Sequence, residues 1–251
     1  MINSYICLDL ETTGLNPKTD KIIEIGAVRV ENGVETGIFE TFVNPGRILC
    51  EHITELTGIT DEDLKDAPQI VEILPQFLEF TKDLPLLGHS VLFDFSFVKK
   101  AAVNQKLTFE REGVDTLKIA RRYLPELPHR SLGYLCEHYQ IPHQAHRALG
   151  DARATMQLYK LLWEYFGEDS QRSDAFEREA AEELKQEKNV LFYPVKLNYQ
   201  AKKDSPITKN QKERLYKLIR QHKIDTVYDI DKLTKSEASR YTDQILATYG
   251  R

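Results

Sequence analysis

YICLDLETTG, running from Tyr5 to Gly14, is an apolar, β-favouring stretch that delivers two carboxylates, Asp9 and Glu11, and then turns at Thr12, Thr13 and Gly14. Side chains two apart on a strand share a face, so Asp9, Glu11 and Thr13 project together from one side. Two like charges held side by side at the end of a buried strand repel, and burying them uncompensated is costly. A divalent cation relieves both penalties. The stretch therefore predicts a strand that ends at a metal-binding place.

Working outward, Lys21 to Val30 (KIIEIGAVRV) and Gly37 to Val43 (GIFETFV) predict two strands flanking Asn32-Gly33, an antiparallel hairpin with an irregularity near Gly37. Two short helices follow, one around His52 to Thr57 and one from Asp61, where Thr60 and Asp63 have capping-box spacing. Pro68 suits the first turn of a helix to about Phe80, in which Pro75 predicts a kink or split. Leu84 to Gly88 is a short buried strand. Ser90 to Asn104 is an amphipathic helix with Phe93, Phe97 and Ala101 on one face, and Asp94 lies in its first turn, where the helix dipole favours negative charge. Val114 to Tyr123 combines a brief strand with a helix, Ser131 caps a helix to about Tyr139, and Gly150 to Phe166 is a long helix. A hairpin followed by strands alternating with helices indicates a mixed α/β sheet.

The 251 residues suffice for one large domain, or a medium one with an appendage. No apolar run approaches the roughly 20 residues of a spanning helix, and the N-terminus lacks the pattern of a signal peptide. Three cysteines, Cys7, Cys50 and Cys136, are far apart and form no C-x-x-C pair, which signals neither a disulfide framework nor a zinc site. These features predict a cytoplasmic protein with reduced thiols and no membrane partner. The net charge of −5 is unevenly spread, because residues 1–188 are acidic whereas 189–251 are basic.

Further carboxylates stand at the predicted starts of two helices, Asp94 and Asp151. Converging with Asp9 and Glu11, they offer hard oxygen ligands suited to Mg²⁺ or Mn²⁺ and poorly suited to zinc. His146 precedes Asp151 by five residues, and five helical steps would set the two about 140° apart around one helix. His146 is therefore expected on the loop before the helix, free to swing toward a reacting water. His129, His138 and His143 read as ordinary surface or core histidines.

Three segments carry a family resemblance: Asp9-Leu10-Glu11-Thr12-Thr13-Gly14, Gly88-His89 through Phe93-Asp94, and His146-Arg147-Ala148-Leu149-Gly150-Asp151-Ala152. Together, over roughly residues 4–166, they resemble the three motifs of the DEDDh exonucleases, most closely the proofreading exonucleases of the bacterial DNA polymerase III epsilon type. The resemblance implies a ribonuclease H-like fold, a mixed five-stranded sheet flanked by helices. It implies two divalent cations, with Asp9 bridging both, Glu11 and Asp151 completing the site of one, and Asp94 supporting the other. His146 would be the general base in a 3′ to 5′ hydrolysis that releases nucleoside 5′-monophosphates from single-stranded or frayed DNA, in proofreading or repair. Thr12, Thr13 and Gly14 would position the terminal nucleotide, together with His89, and Leu56 in HITELTG is a candidate wedge against its base. Relatives often carry Asn after the second-motif His, where this chain has Ser90. An RNA-trimming relative is the nearest enzymatic alternative, because tolerance of a 2′-hydroxyl depends on pocket shape. A catalytically silent DNA-binding or polymerase-assembly module would keep the fold but has no need of all five catalytic side chains.

The domains expected are an exonuclease domain over 1–167, a charged helical connector over 168–189 and a small basic helical module over 190–251. In the last, Val190 to Tyr199 looks extended, and Thr208 with Gln211 and Thr234 with Glu237 mark two helix starts. Lysines and arginines interleaved with Tyr199 and Tyr216 suit a phosphate-tracking surface. Docking to a DNA polymerase or another replication or repair protein is the competing use.

Overall fold

Alternation along β1 (Tyr5–Thr12) divides the interior in two. Tyr5 and Cys7 face a core shared with Val114, Tyr123, Leu135, Leu158 and Tyr159, whereas Ile6, Leu8 and Leu10 face a second core containing Ile25, Leu74, Phe77, Phe95 and Phe109. A strand covered on both faces must be apolar throughout, and the first charge on β1 comes only at Asp9. By the same period of two, Asp9 and Glu11 lie on the Tyr5 and Cys7 side.

The computed structural model describes residues 1–143, 145–167, 190–226 and 228–250. The connector expected over 168–189 lies outside them. β2 (Ile22–Glu31) and β3 (Val34–Phe42) form the predicted hairpin, turning at Asn32 and Gly33 with φ of 53° and 79°. Positive φ at both positions is the turn whose twist matches a hairpin. Register shifts between Arg29 and Val30, beside Gly37, as the sequence suggested. β2 runs antiparallel to β1, while β4 (Leu86–Gly88) runs parallel to β1 and β5 (Glu112–Asp115) parallel to β4. A further strand, β6 (Val195–Lys196), pairs antiparallel with β5 and completes a six-stranded sheet of order β3-β2-β1-β4-β5-β6. The sequence predicts five strands and, where the sixth lies, only an extended stretch over Val190 to Tyr199, because two residues are too few to show a period.

Two short helices, α1 (Glu51–Thr57) and α2 (Asp61–Leu64), close a small core around Ile23, and Thr60 and Asp63 make the expected capping box. α3 (Ile70–Thr81) begins after Pro68, with Gln69 and Glu72 as its cap, and is not split at Pro75. The carbonyl that loses its donor belongs to Val71, on the exposed face of the helix. With α4 (Val91–Asn104), α3 covers the Leu8 face; α5 (Thr116–Tyr123), α6 (Leu132–His138) and α7 (Ala148–Phe166) cover the Cys7 face.

Residues 190–197 pack with the sheet. Phe192 is fully buried among Tyr123, Tyr159 and Trp163, and the Tyr159 hydroxyl donates to its carbonyl at 3.0 Å. Leu197 enters the second core. Burying a phenylalanine contributes about 1.5–3 kcal/mol, so a division at residue 190 would cut through the interior. A separate core starts at Ile207 and joins α8 (Lys209–His222) to α9 (Lys235–Tyr249) through Leu215, Leu218, Ile230, Leu233 and Ile245. Both predicted capping boxes, at Thr208 and Thr234, are present. No helix among the described residues is long and apolar enough to cross a membrane.

Candidate active site

Asp9 pairs with Gly26 and Glu11 with Glu24 across the β1–β2 ladder. The first turn of α7 descends onto this patch. A Cβ on Gly26 would stand 2.1 Å from the Ala148 carbonyl carbon and the Leu149 nitrogen, so only a residue without one lets the helix come so close. Glu24, buried in the strand, accepts from the Ala148 N–H at 3.1 Å and pairs with Arg147 at 2.9 Å. One turn further along, the Cys7 thiol donates to the Ala152 carbonyl at 3.0 Å. Fixed in this way, α7 delivers Asp151 so that ligand oxygens of Asp9, Glu11 and Asp151 all lie within 4.8 Å of one another.

Crowded carboxylates hold their protons. Burial, then the charges of Asp94, Asp151, Glu11 and Glu24, push the Asp9 carboxyl well above its ordinary range. Glu11 is raised to about 7 by burial, Asp151 and Glu24, with Arg147 acting the other way. Asp94, on the first turn of α4, is 3% exposed and is also raised by burial, although backbone N–H groups of Asp94 and Leu10 favour its charged form. It lies outside the three-residue group yet close enough for its charge to bear on Asp9. An all-oxygen set with this much uncompensated charge fits a hard divalent cation.

The structure distributes the predicted site residues unevenly. His146 sits before α7, as expected, with φ of 62° and an exposed side chain, and its backbone N–H donates to Asp151 Oδ2 at 2.9 Å. The imidazole that touches Asp151 belongs instead to His143, whose Nε2 contacts Oδ1. In sequence His143 reads as an ordinary histidine, because nothing local links it to Asp151 eight residues on. His89 is held on both ring nitrogens, by the Thr116 hydroxyl at 2.9 Å and the Arg130 carbonyl at 2.8 Å. Burial lowers its pKa, and the carbonyl requires a proton on Nε2, so the ring is a neutral brace between α5 and the loop before α6. Thr12 donates to the Gly14 carbonyl at 2.7 Å, and the Thr13 hydroxyl is met by Arg47. Leu56 projects from α1 with 44% exposure.

Sequence reading missed Glu24, Gly26, Arg47 and Arg147 besides His143. Glu24 left one trace, a lone acid within the apolar run IIEIGAV. Gly26 left another, since a glycine inside a strand pattern is how a close backbone approach presents itself in sequence.

A carboxylate cluster at the end of the central strand of a ribonuclease H-like sheet defines a divalent-cation-dependent nuclease. The exonuclease family of the RNase T type matches residues 6–159, and the chain belongs to it. The DNA polymerase III subunit epsilon of Aquifex aeolicus is 37% identical over 170 residues, covering 65% of this chain and 84% of that protein. The PolC-type DNA polymerase III of Bacillus subtilis is 31% identical over 248 residues, which covers 97% of this chain but 17% of the polymerase. That of Caldanaerobacter subterraneus is 43% identical over 157 residues, covering 62% of this chain and 11% of the polymerase. The chain thus spans only a small fraction of the PolC relatives it matches. Among solved structures, exonuclease X in complex with 5′ overhanging duplex DNA is 25% identical with a TM-score of 0.50, covering 64% of this chain and 90% of that one. Exonuclease I of E. coli with a dT13 oligonucleotide shares the fold at 19% identity and a TM-score of 0.58, covering 64% of this chain and 41% of that one.

Proposed function

We propose that the protein is a 3′ to 5′ exonuclease that hydrolyses the terminal phosphodiester of single-stranded or frayed DNA and releases nucleoside 5′-monophosphates, in proofreading or repair. The observation that carries the reading is the convergence of Asp9, Glu11 and Asp151 within 4.8 Å. Two ions, Mg²⁺ or Mn²⁺, held by these carboxylates with Asp94 alongside, would supply an activated water and charge stabilisation for the leaving 3′ oxygen. The protein's own part is to hold its ligands in place through Gly26, Glu24 and Cys7, and to take a proton from the attacking water at the imidazole of His146. Thr12, Thr13 and Gly14 lie immediately beyond Glu11 on the chain and would meet the terminal nucleotide, with exposed Leu56 available to its base. His89 serves this surface indirectly, by tying the chain that enters α4 to α5 and the loop before α6.

The epsilon and PolC relatives, named as DNA polymerase III proteins, support a DNA substrate, work beside a polymerase and a cytoplasmic setting. The decisive experiment digests matched single strands labelled at the 3′ or the 5′ end, with Mg²⁺ and with chelator. Immediate loss of the 3′ label as a mononucleotide, abolished by chelator, is expected. Release of the 5′ label first would overturn the polarity, and preference for a matched RNA strand would overturn the substrate.

A further inference from the structure

The helical module is tied to the loop that follows β1, and the ties converge on one oxygen. In the loop of residues 13–21, the Thr13 hydroxyl accepts from the Lys21 backbone N–H at 3.0 Å and from the Arg47 guanidinium. A hydroxyl has two acceptor positions and one proton. With both acceptor positions filled, the Thr13 hydroxyl keeps its one proton to donate, which suits a phosphate or sugar oxygen.

Two routes lead from α9 to that hydroxyl. By one, Glu237 pairs with the Lys21 ammonium at 2.9 Å, on the residue whose backbone N–H reaches Thr13. By the other, Arg240 donates to the Thr19 carbonyl at 3.1 Å and lies 3.7 Å from Asp20, whose carboxylate holds Arg47 at 3.3 Å. Asp20 also accepts from the Asn16 N–H at 3.0 Å and presses on Gly14, where a Cβ would come within 2.6 Å of it. Burial opposes the charge on Glu237, but Lys21 and Thr234 outweigh it and hold the carboxyl down at about 2. The chain just before the module is anchored as well, because Asp204 pairs with Lys100 at 2.7 Å and bonds Asn104 at 2.9 Å on α4.

We propose that Glu237 and Arg240 are positioning residues of the exonuclease site, which hold loop 13–21 so that the Thr13 hydroxyl is presented as a donor to the terminal nucleotide. This rests on the reading that Thr12, Thr13 and Gly14 meet that nucleotide. It gives the helical module a part in substrate binding with no need for α9 to touch the strand.

The test uses the full chain. Glu237→Gln removes the charge while retaining a residue able to cap α9, and Arg240→Ala removes the second route. In the double variant, KM for a single-stranded oligonucleotide should rise about tenfold while kcat changes less than about twofold. Arg240→Lys should recover most of the loss in the Arg240 arm. Adding Thr13→Ala to the double variant should cost far less than Thr13→Ala costs alone, since all three substitutions act through one hydroxyl. Hydrogen exchange at the Thr13, Asn16 and Lys21 amides, followed without metal or DNA, should quicken in the double variant while exchange in β1 and β2 is unchanged. An unaltered KM with the fold intact, or a full additive cost of Thr13→Ala, would overturn the proposal. A wild-type protein without nuclease activity would defeat the functional reading instead, and the exchange measurement would still decide whether α9 restrains the loop.

Discussion

His143 rests its Nε2 on the Asp151 carboxylate, while His146, three residues nearer in sequence, reaches the same carboxylate only through its backbone N–H. Two histidines thus attend one proposed ligand in different ways. An imidazole on a ligating carboxylate fixes its rotamer, and such outer partners are typically worth 10- to 100-fold in metal affinity. His143→Ala is therefore expected to weaken Mn²⁺ binding by about that factor in a calorimetric titration. His146→Asn should leave binding nearly unchanged and slow single-turnover hydrolysis by about 10²-fold or more. The opposite pattern would transfer the base to His143.

The acid cluster predicts a pH dependence. Glu11 titrates at about 7 in the folded protein without cation, against an ordinary 4.5. Because the folded state binds the extra proton, its contribution to stability is present below 4.5 and is lost as pH rises toward 7. Thermal melts in chelator should show this loss, and a divalent cation should reverse it by binding the folded state alone. Cation affinity should climb through the same window, with protons released on binding. Glu24→Gln removes one charge that raises Glu11 and should shift the midpoint of that climb downward.

Gly26→Ala forces a collision with the backbone of Ala148 and Leu149, neither of which is a side chain able to swing aside. The first turn of α7 must retreat, and Asp151 with it. A displacement of about 1 Å at a catalytic group can cost 10²-fold in rate, so activity and cation binding should fall together while far-ultraviolet circular dichroism stays close to wild type.

Truncation should separate two roles of the C-terminal region. Chains ending at residue 189 lose β6 and Phe192, and emptying a buried phenylalanine site costs about 3–5 kcal/mol. Their urea midpoint should fall sharply. Ending the chain at residue 205 keeps both features and should preserve the midpoint of the sheet domain. Equal midpoints for the two truncations would show that Phe192 contributes little.

The sheet and its acids were legible in YICLDLETTG because β1 is buried on both faces, so that a charge there stands out against an uninterrupted apolar run. Asp94 and Asp151 were legible from their places in first helical turns. The second tier was hidden for definite reasons. Glu24 and Gly26 act across a ladder whose register no local period reveals, and His143 reaches Asp151 along an irregular loop. Thr13 and Asp20 meet through Arg47, and Arg240 joins them only through the docking of α9, which brings together residues more than two hundred positions apart. The sixth strand was legible only as the extended stretch Val190 to Tyr199, because its two-residue pairing with β5 has no period of its own.

Sheet completion also has an order in time. Phe192 and β6 follow every other strand and helix of the sheet domain in the chain, so during synthesis Tyr123, Tyr159 and Trp163 emerge before the ring that covers them. At about 5–20 residues per second, the wait between the end of α7 and residue 197 is on the order of seconds. Through that interval the nascent domain exposes an aromatic pocket beside the unpaired edge of β5, a surface for a chaperone or for misassembly, and its closure would be the last folding step of the catalytic sheet.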